Sequence, residues 1–188
     1  DLHWFKYEAY FTWLSGFALL IVLYYFGAST YLIDSTRADL TPTMAIGISV
    51  AFLIGSWGLY EALCRSPIGR STTVLASSVL VLILVSAFLL TQVFSDRAAF
   101  LHVGALIGTI MSANVFVVII PNQKKVVADL LDKKLPDPSL GAQARQRSLH
   151  NNYLTLPVLL LMVSAHYPLL FSGGTAWGWL VVGFIIVI

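Results

Sequence analysis

The sequence predicts an all-α fold, a polytopic transmembrane helix bundle, and three observations carry that prediction. Hydrophobic residues make up 58% of the 188 positions and charged residues 11%, where a soluble domain carries about 25% charged residues; mean hydropathy is +0.84. The apolar residues fall in continuous runs of bilayer length, without the apolar/polar alternation of a membrane barrel. Lys and Arg gather in alternate loops between those runs. With no water in the bilayer core to satisfy the backbone, such runs must coil into helices.

Six segments result, at about 7–27, 41–63, 72–94, 98–120, 152–171 and 176–188. Each of the first five can cross ~30 Å of hydrocarbon as a helix. The sixth stops short of the roughly 20 residues that a span needs. The chain opens on Asp1 with no signal-peptide pattern, and it is expected to be an internal piece of a longer membrane protein, with 1–188 a single membrane domain.

The first segment begins with Trp4, Phe5, Tyr7, Tyr10, Phe11 and Trp13, an aromatic belt at a membrane interface. In the second, Gly47, Ala51 and Gly55 recur at spacing four, which lets helix backbones approach, and Glu61 and Arg65 form an i,i+4 pair. The third is almost purely aliphatic scaffold, with Gln92 near its end. The fourth carries a second small-residue stripe, Gly104, Gly108 and Ser112, and an amide, Asn114, near mid-membrane. An amide there needs a partner, and helix–helix hydrogen bonding is the favoured reading. The loop 121–151 opens amphipathically, with Val126, Val127, Leu130 and Leu131 among four lysines, as a helix on the headgroups or under the bundle. The fifth helix is expected to start at His150-Asn151-Asn152, where short polar side chains cap free N–H groups, with Pro157 and Pro168 able to bend it.

Orientation follows from charge. If the segments alternate, Lys6, Arg65, Arg70, Lys124, Lys125, Lys133, Lys134, Arg145 and Arg147 share one side, and Arg37 and Arg97 the other. The positive-inside rule makes the first side, with the loop 121–151, cytoplasmic.

Many chemistries are excluded. One cysteine, Cys64, leaves no disulfide, no paired-thiol metal site and no C-x-x-C-H haem attachment. Walker A, G-x-G-x-x-G, H-E-x-x-H and the nucleophile elbow are absent, and nothing points to nucleic acid. Two sets remain. His102 and His166 lie at similar depth near the non-basic ends of the fourth and fifth helices, where two imidazoles can ligate the iron of a haem b; the plainer alternative is that each bonds a backbone carbonyl. At the basic end, His3, Asn122, Gln123, Arg147, His150, Asn151, Asn152 and Thr155 supply amides, a guanidinium and imidazoles, the inventory for a flat, hydrogen-bonding, anionic ring. Ordinary capping and loop solvation is the competing reading.

The stretches FLHVGALIGTIMSANVFVVIIPNQKKVVADL and RQRSLHNNYLTLPVLLLMVSAHYPL, with the opening LHWFKYEAYFTWLSGFALLIVLYY and Tyr31-Leu32-Ile33-Asp34, resemble the membrane domain of bacterial membrane-bound urate oxidase (urate hydroxylase), a family with a cytochrome c domain at its C-terminus. The resemblance spans essentially the whole chain. It implies an eight-helix domain of the inner membrane, of which the six segments here would be the second to seventh helices. It implies oxidation of urate to 5-hydroxyisourate in purine breakdown, with electrons passing to the haem c of the cytochrome domain or the respiratory chain. Arg147 would then face the urate anion, Asn122, Gln123, Asn151 and Asn152 would read its edge, and His150 would move a proton. The resemblance strengthens haem ligation by His102 or His166, and allows His102 to pair instead with a histidine of the helix preceding this chain. Two rival functions stay open: a haem-binding electron-transfer or anchor module without its own catalysis, and a small organic-anion carrier. A carrier calls for broken helices with polar midplane residues, and Asn114 alone meets that description.

Overall fold

A computed structural model describes residues 2–170 together with Gly178 and Leu180. The sixth apolar segment, 176–188, otherwise lies outside the described residues, as does the side chain of His3. The protein is all-α. In chain order the helices are α1 (Leu2–Leu20), α2 (Pro42–Arg65), α3 (Thr72–Val93), α4 (Asp96–Ala113), α5 (Ile120–Leu131) and α6 (Pro138–Ser164). π-Helical turns extend α1 through Ile21–Tyr25 and fold Ala28–Leu32, and a third, Asn114–Ile119, joins α4 to α5 without a break. Extended pairing among the described residues is a single bridge, Ile33 to Phe94.

Among the described residues, four helical stretches are long and apolar enough to cross a membrane: Lys6–Tyr25, Pro42–Arg65, Thr72–Val93 and Asp96–Leu131. This is a membrane protein. Local chemistry starts each helix where it starts. Thr41 caps α2 by accepting from the Met44 N–H, with Pro42 in the first turn. Ser71 caps α3 and Ser95 caps α4 in the same way. Between α2 and α3 the chain turns through Pro67–Arg70, and Gly69 sits there because any Cβ would press into the Cys64 carbonyl.

α4 is the central helix, packed by α1, α2, α3 and α6. Contacts along it show the direction of each neighbour. Tyr10 meets Phe116, Trp13 donates to Thr109 at 3.1 Å, and Tyr24 meets His102, so α1 runs antiparallel to α4. Ser49 reaches His102 and Tyr60 reaches Asn114, so α2 runs parallel. α6 is antiparallel, with Leu161 against Gly104 and Asn151 against Met111. Helix direction therefore alternates along the chain, and the basic residues of α2, α5 and α6 fall at one end. At the other end Arg37 braces the turn between α3 and α4. It pairs with Asp34 at 3.2 Å and Asp96 at 2.7 Å, and donates to the free carbonyls of Thr91 and Phe94.

Four expectations are corrected. The Gly47–Ala51–Gly55 stripe is exposed, with open space at both glycines among the described residues; in the second stripe, Gly104 lies against Leu161 and Gly108 faces open space. The amphipathic start of the loop is the continuation of α4 rather than a separate surface helix, because Pro121 lies at the start of α5, where proline is compatible with helix. α6 begins at Pro138, not at His150. Asp137 caps it by accepting from the Ser139 N–H at 2.8 Å, a bond that, with the Ser139 hydroxyl, holds the Asp137 carboxyl below its ordinary value. His150, Asn151 and Asn152 are thus interior helical residues, and α6, polar through its first half, is not among the four membrane-length apolar stretches. Finally, α6 ends at Ser164, whose carbonyl accepts from the Tyr167 N–H, so Pro168 bends nothing and instead opens a short 3-10 turn.

Candidate functional site

Polar residues of three helices meet around Tyr60, which is fully buried in the last turns of α2. Its hydroxyl lies 2.8 Å from His150 Nδ1 and accepts from Asn114 Nδ2 at 2.9 Å. Asn114 also donates to Asn151 Oδ1 at 2.9 Å, and Asn151 donates to the Met111 carbonyl at 3.0 Å. The mid-membrane amide does join helices as the sequence reading favoured. Arg147 places its guanidinium over the Tyr60 ring and donates through Nη2 to Glu61 Oε2 at 2.8 Å. Glu61 is shared: Arg65 holds its other oxygen at 2.6 Å. His150 also meets the Tyr60 ring edge-on, with the ring centroids 5.8 Å apart.

The set is not closed. Arg147 is 4% exposed, yet its Nε and Nη1 have no hydrogen-bond partner; Asn114 is 1% exposed, and its Oδ1 has none either. A buried donor or acceptor left unpaired costs about 1–3 kcal/mol, more for a charged group. Two guanidinium donors and one amide acceptor left open around the same tyrosine are what bound polar molecules, water or a planar anion, would satisfy.

The basic-end residues that the sequence singles out fall into more than one group. Arg147, His150 and Asn151 recur at helical spacing on one face of α6, toward Tyr60 and Asn114. Asn152 lies on a neighbouring face with Arg145 and Ser148, and lines a cavity of about 530 Å³ between α5 and α6. Asn122 and Gln123 line the same cavity from α5. Asn122 donates to the Leu140 carbonyl at 3.2 Å, and Gln123 Oε1 is buried without a partner. Thr155 bonds back to the Asn151 carbonyl at 2.8 Å and serves only its own helix.

The two histidines at the opposite end are apart in role and environment. His102 is fully buried beside Phe94 and Tyr24, and both ring nitrogens are taken: Nδ1 lies 2.7 Å from the Ala98 carbonyl and Nε2 2.7 Å from Ser49 Oγ, which continues to Tyr25 Oη at 2.8 Å. His166 is exposed, beyond the end of α6, and lines a groove of about 360 Å³ between α1, α4 and α6 with Arg97, Leu101 and Gly104. His102 does not line that groove. A haem b held between His102 and His166 does not fit this arrangement, since both ring nitrogens of His102 are already hydrogen-bonded and His102 does not line the groove that His166 lines. For His102 the carbonyl-bonded alternative is the geometry found. Among the described residues no group of three or more His, Cys, Asp or Glu side chains could hold a metal ion.

Sequence reasoning missed Tyr60, Ser49 and the second partner of Glu61. A signal existed. Ala45, Ser49, Leu53, Ser56, Tyr60 and Cys64 repeat at three and four residues and form the buried stripe of α2. The hydroxyls on that stripe hold both buried histidines, Ser49 taking His102 and Tyr60 taking His150.

Neither a curated protein nor a solved structure matches the chain. One family description, "Urate oxidase N-terminal", matches residues 1–188, the whole of it. An all-α membrane bundle with a buried, half-satisfied arginine–amide cluster thus belongs to the urate oxidase N-terminal family.

Proposed function

We propose that this chain is the membrane-embedded part of an enzyme that oxidises urate to 5-hydroxyisourate and passes the electrons to a c-type cytochrome. Written in balance, urate and water give 5-hydroxyisourate, two protons and two electrons. The haem c would lie in a partner domain, because Cys64, the one cysteine, is buried and stands outside any C-x-x-C-H motif; it would supply the electron acceptor. With Lys and Arg gathered at one end, the basic end would face the cytoplasm of a bacterial inner membrane and raise the local concentration of an anion.

The observation that carries the reading is Arg147, buried over the Tyr60 ring with two open N–H groups, while Asn114, bonded to the hydroxyl of the same tyrosine, keeps an open carbonyl oxygen. Urate is a planar monoanion at neutral pH, with carbonyl acceptors and ring N–H donors on its edge. Arg147 would meet the anionic edge, Asn114 would accept from a ring N–H, and His150 and Asn151 would complete the surround. The residues of the α5–α6 cavity, Asn122, Gln123 and Asn152, would receive urate before it reaches the buried cluster. In the full-length protein, Arg147→Ala is expected to lose urate-dependent cytochrome reduction while expression and haem c content stay normal, and Gln123→Ala to raise KM with kcat retained. Reduction at the parental rate in Arg147→Ala would move the reaction out of the Tyr60 cluster.

A further inference from the structure

The hydrogen bonds around Tyr60 can be followed as a chain from the Met111 carbonyl. The Met111 carbonyl accepts and cannot donate, so the Asn151 amide nitrogen faces it and Asn151 turns its Oδ1 to Asn114. That oxygen requires a donor, which fixes Nδ2 of Asn114 toward it. The same nitrogen lies 2.9 Å from Tyr60 Oη, so Asn114 spends both its protons, and Tyr60 accepts there. Two groups are left for the phenolic proton, His150 Nδ1 at 2.8 Å and the Cys64 thiol, and the imidazole nitrogen is the stronger acceptor. A neutral imidazole that accepts at Nδ1 carries its single proton on Nε2. That Nε2 has no hydrogen-bond partner among the described residues.

We propose that Tyr60 is a positioning residue for urate oxidation: it fixes His150 as the Nε2–H tautomer, so that His150 meets the substrate as a hydrogen-bond donor and not as a base. This rests on the Tyr60 cluster being the urate site. Arg147 Nε and Nη1 are buried donors without a partner and Asn114 Oδ1 a buried acceptor without one; the Nε2–H of His150 would make three donors against that one acceptor. A set weighted toward donors selects an anionic oxopurine, in which acceptors outnumber donors along the bound edge, over a neutral purine bearing an exocyclic amine. His150 takes no proton from urate in this tautomer, so the two protons released leave by water or by another group.

The polarity is set at a distance, and that makes the test sharp. The full-length protein in detergent, with ¹⁵N-labelled histidine, is expected to show His150 with its proton on Nε2; the signal is assigned by its loss in His150→Ala. Tyr60→Phe removes the donor to Nδ1 and is expected to give a mixture of tautomers. Asn114→Asp, which never touches His150, is expected to do the same, because a carboxylate would draw the Tyr60 proton away. Both variants should lower kcat for urate by about 10²- to 10⁴-fold, the range for losing an oriented donor or the correct histidine tautomer, and displace the pH profile of kcat, with KM altered less. A parental His150 protonated at Nδ1 would overturn the proposal, as would either variant keeping the Nε2–H tautomer whatever its rate. Failure of the underlying site is separately visible. His150→Ala at the parental rate would discard the cluster as the site, whereas an inactive His150→Ala beside a fully active Tyr60→Phe would discard only the role of Tyr60.

Discussion

The guanidinium of Arg147 lies over the ring of Tyr60, its central carbon 5.1 Å from the ring centroid. A cation against a ring face gains about 0.5–2 kcal/mol, more when water is excluded, and here the cation is 4% exposed. The same group is tied to Glu61, whose side chain is 14% exposed. Charge, ring and counter-charge form one unit at the basic end of α2 and α6.

Glu61→Gln is accordingly expected to leave a buried cation without its partner and to lower stability by about 3–5 kcal/mol. Thermal unfolding of the detergent-solubilised protein measures it. Arg147→Met in the same background should recover part of that loss, since the stranded charge is then gone; a double variant weaker than Glu61→Gln alone would contradict the ion-pair account.

His102 is expected to behave as a structural residue. His102→Ala removes its bonds to Ser49 Oγ and the Ala98 carbonyl while Ser49 keeps Tyr25, a loss of about 0.5–1.5 kcal/mol for each bond. The visible spectrum of the full-length protein should keep its parental shape and amplitude. Disappearance of a low-spin haem b band in a folded His102→Ala protein would restore the ligand role.

Orientation is testable without any assay of activity. Cys64 is buried and does not compete for thiol reagents. A cysteine at Lys134, beyond α5, is expected to react with a membrane-impermeant maleimide only from the cytoplasmic side, and one at Thr36 only from outside. The reverse pattern would invert the bundle and place the Arg147 cluster at the outer face.

Helix identity was readable from the sequence because apolar length alone decides it in a membrane. The partner of Asn114 was readable in kind, since a mid-membrane amide must be bonded. The boundaries of α6 were not. Its first half carries Gln143, Arg145, Gln146 and Arg147, which reads as loop by hydropathy, while Asp137-Pro138 is a strong helix start further upstream. Arg147 and His150 were singled out from residue type, but their burial rests on Tyr60 and Glu61, ninety and eighty-six residues away in sequence. Pairing over such a distance leaves no local pattern. For the same reason matched depth brought His102 and His166 together on paper, while the side chains point into different neighbours: depth is one coordinate, and rotation about the helix axis is the other.

That second coordinate is what the π turn at Asn114–Ile119 controls. A π turn accommodates an extra residue relative to α-helix, and one residue of α-helix is about 100° of rotation. Between Asn114, which faces Tyr60, and Asn122, which faces Leu140, chain length therefore works as an angular setting. Removing one residue there, Val117 for instance, would shorten the membrane stretch trivially. It would also turn all of α5 about its axis, taking Asn122 off the Leu140 carbonyl and Gln123 out of the α5–α6 cavity, with every side chain of the helix still present.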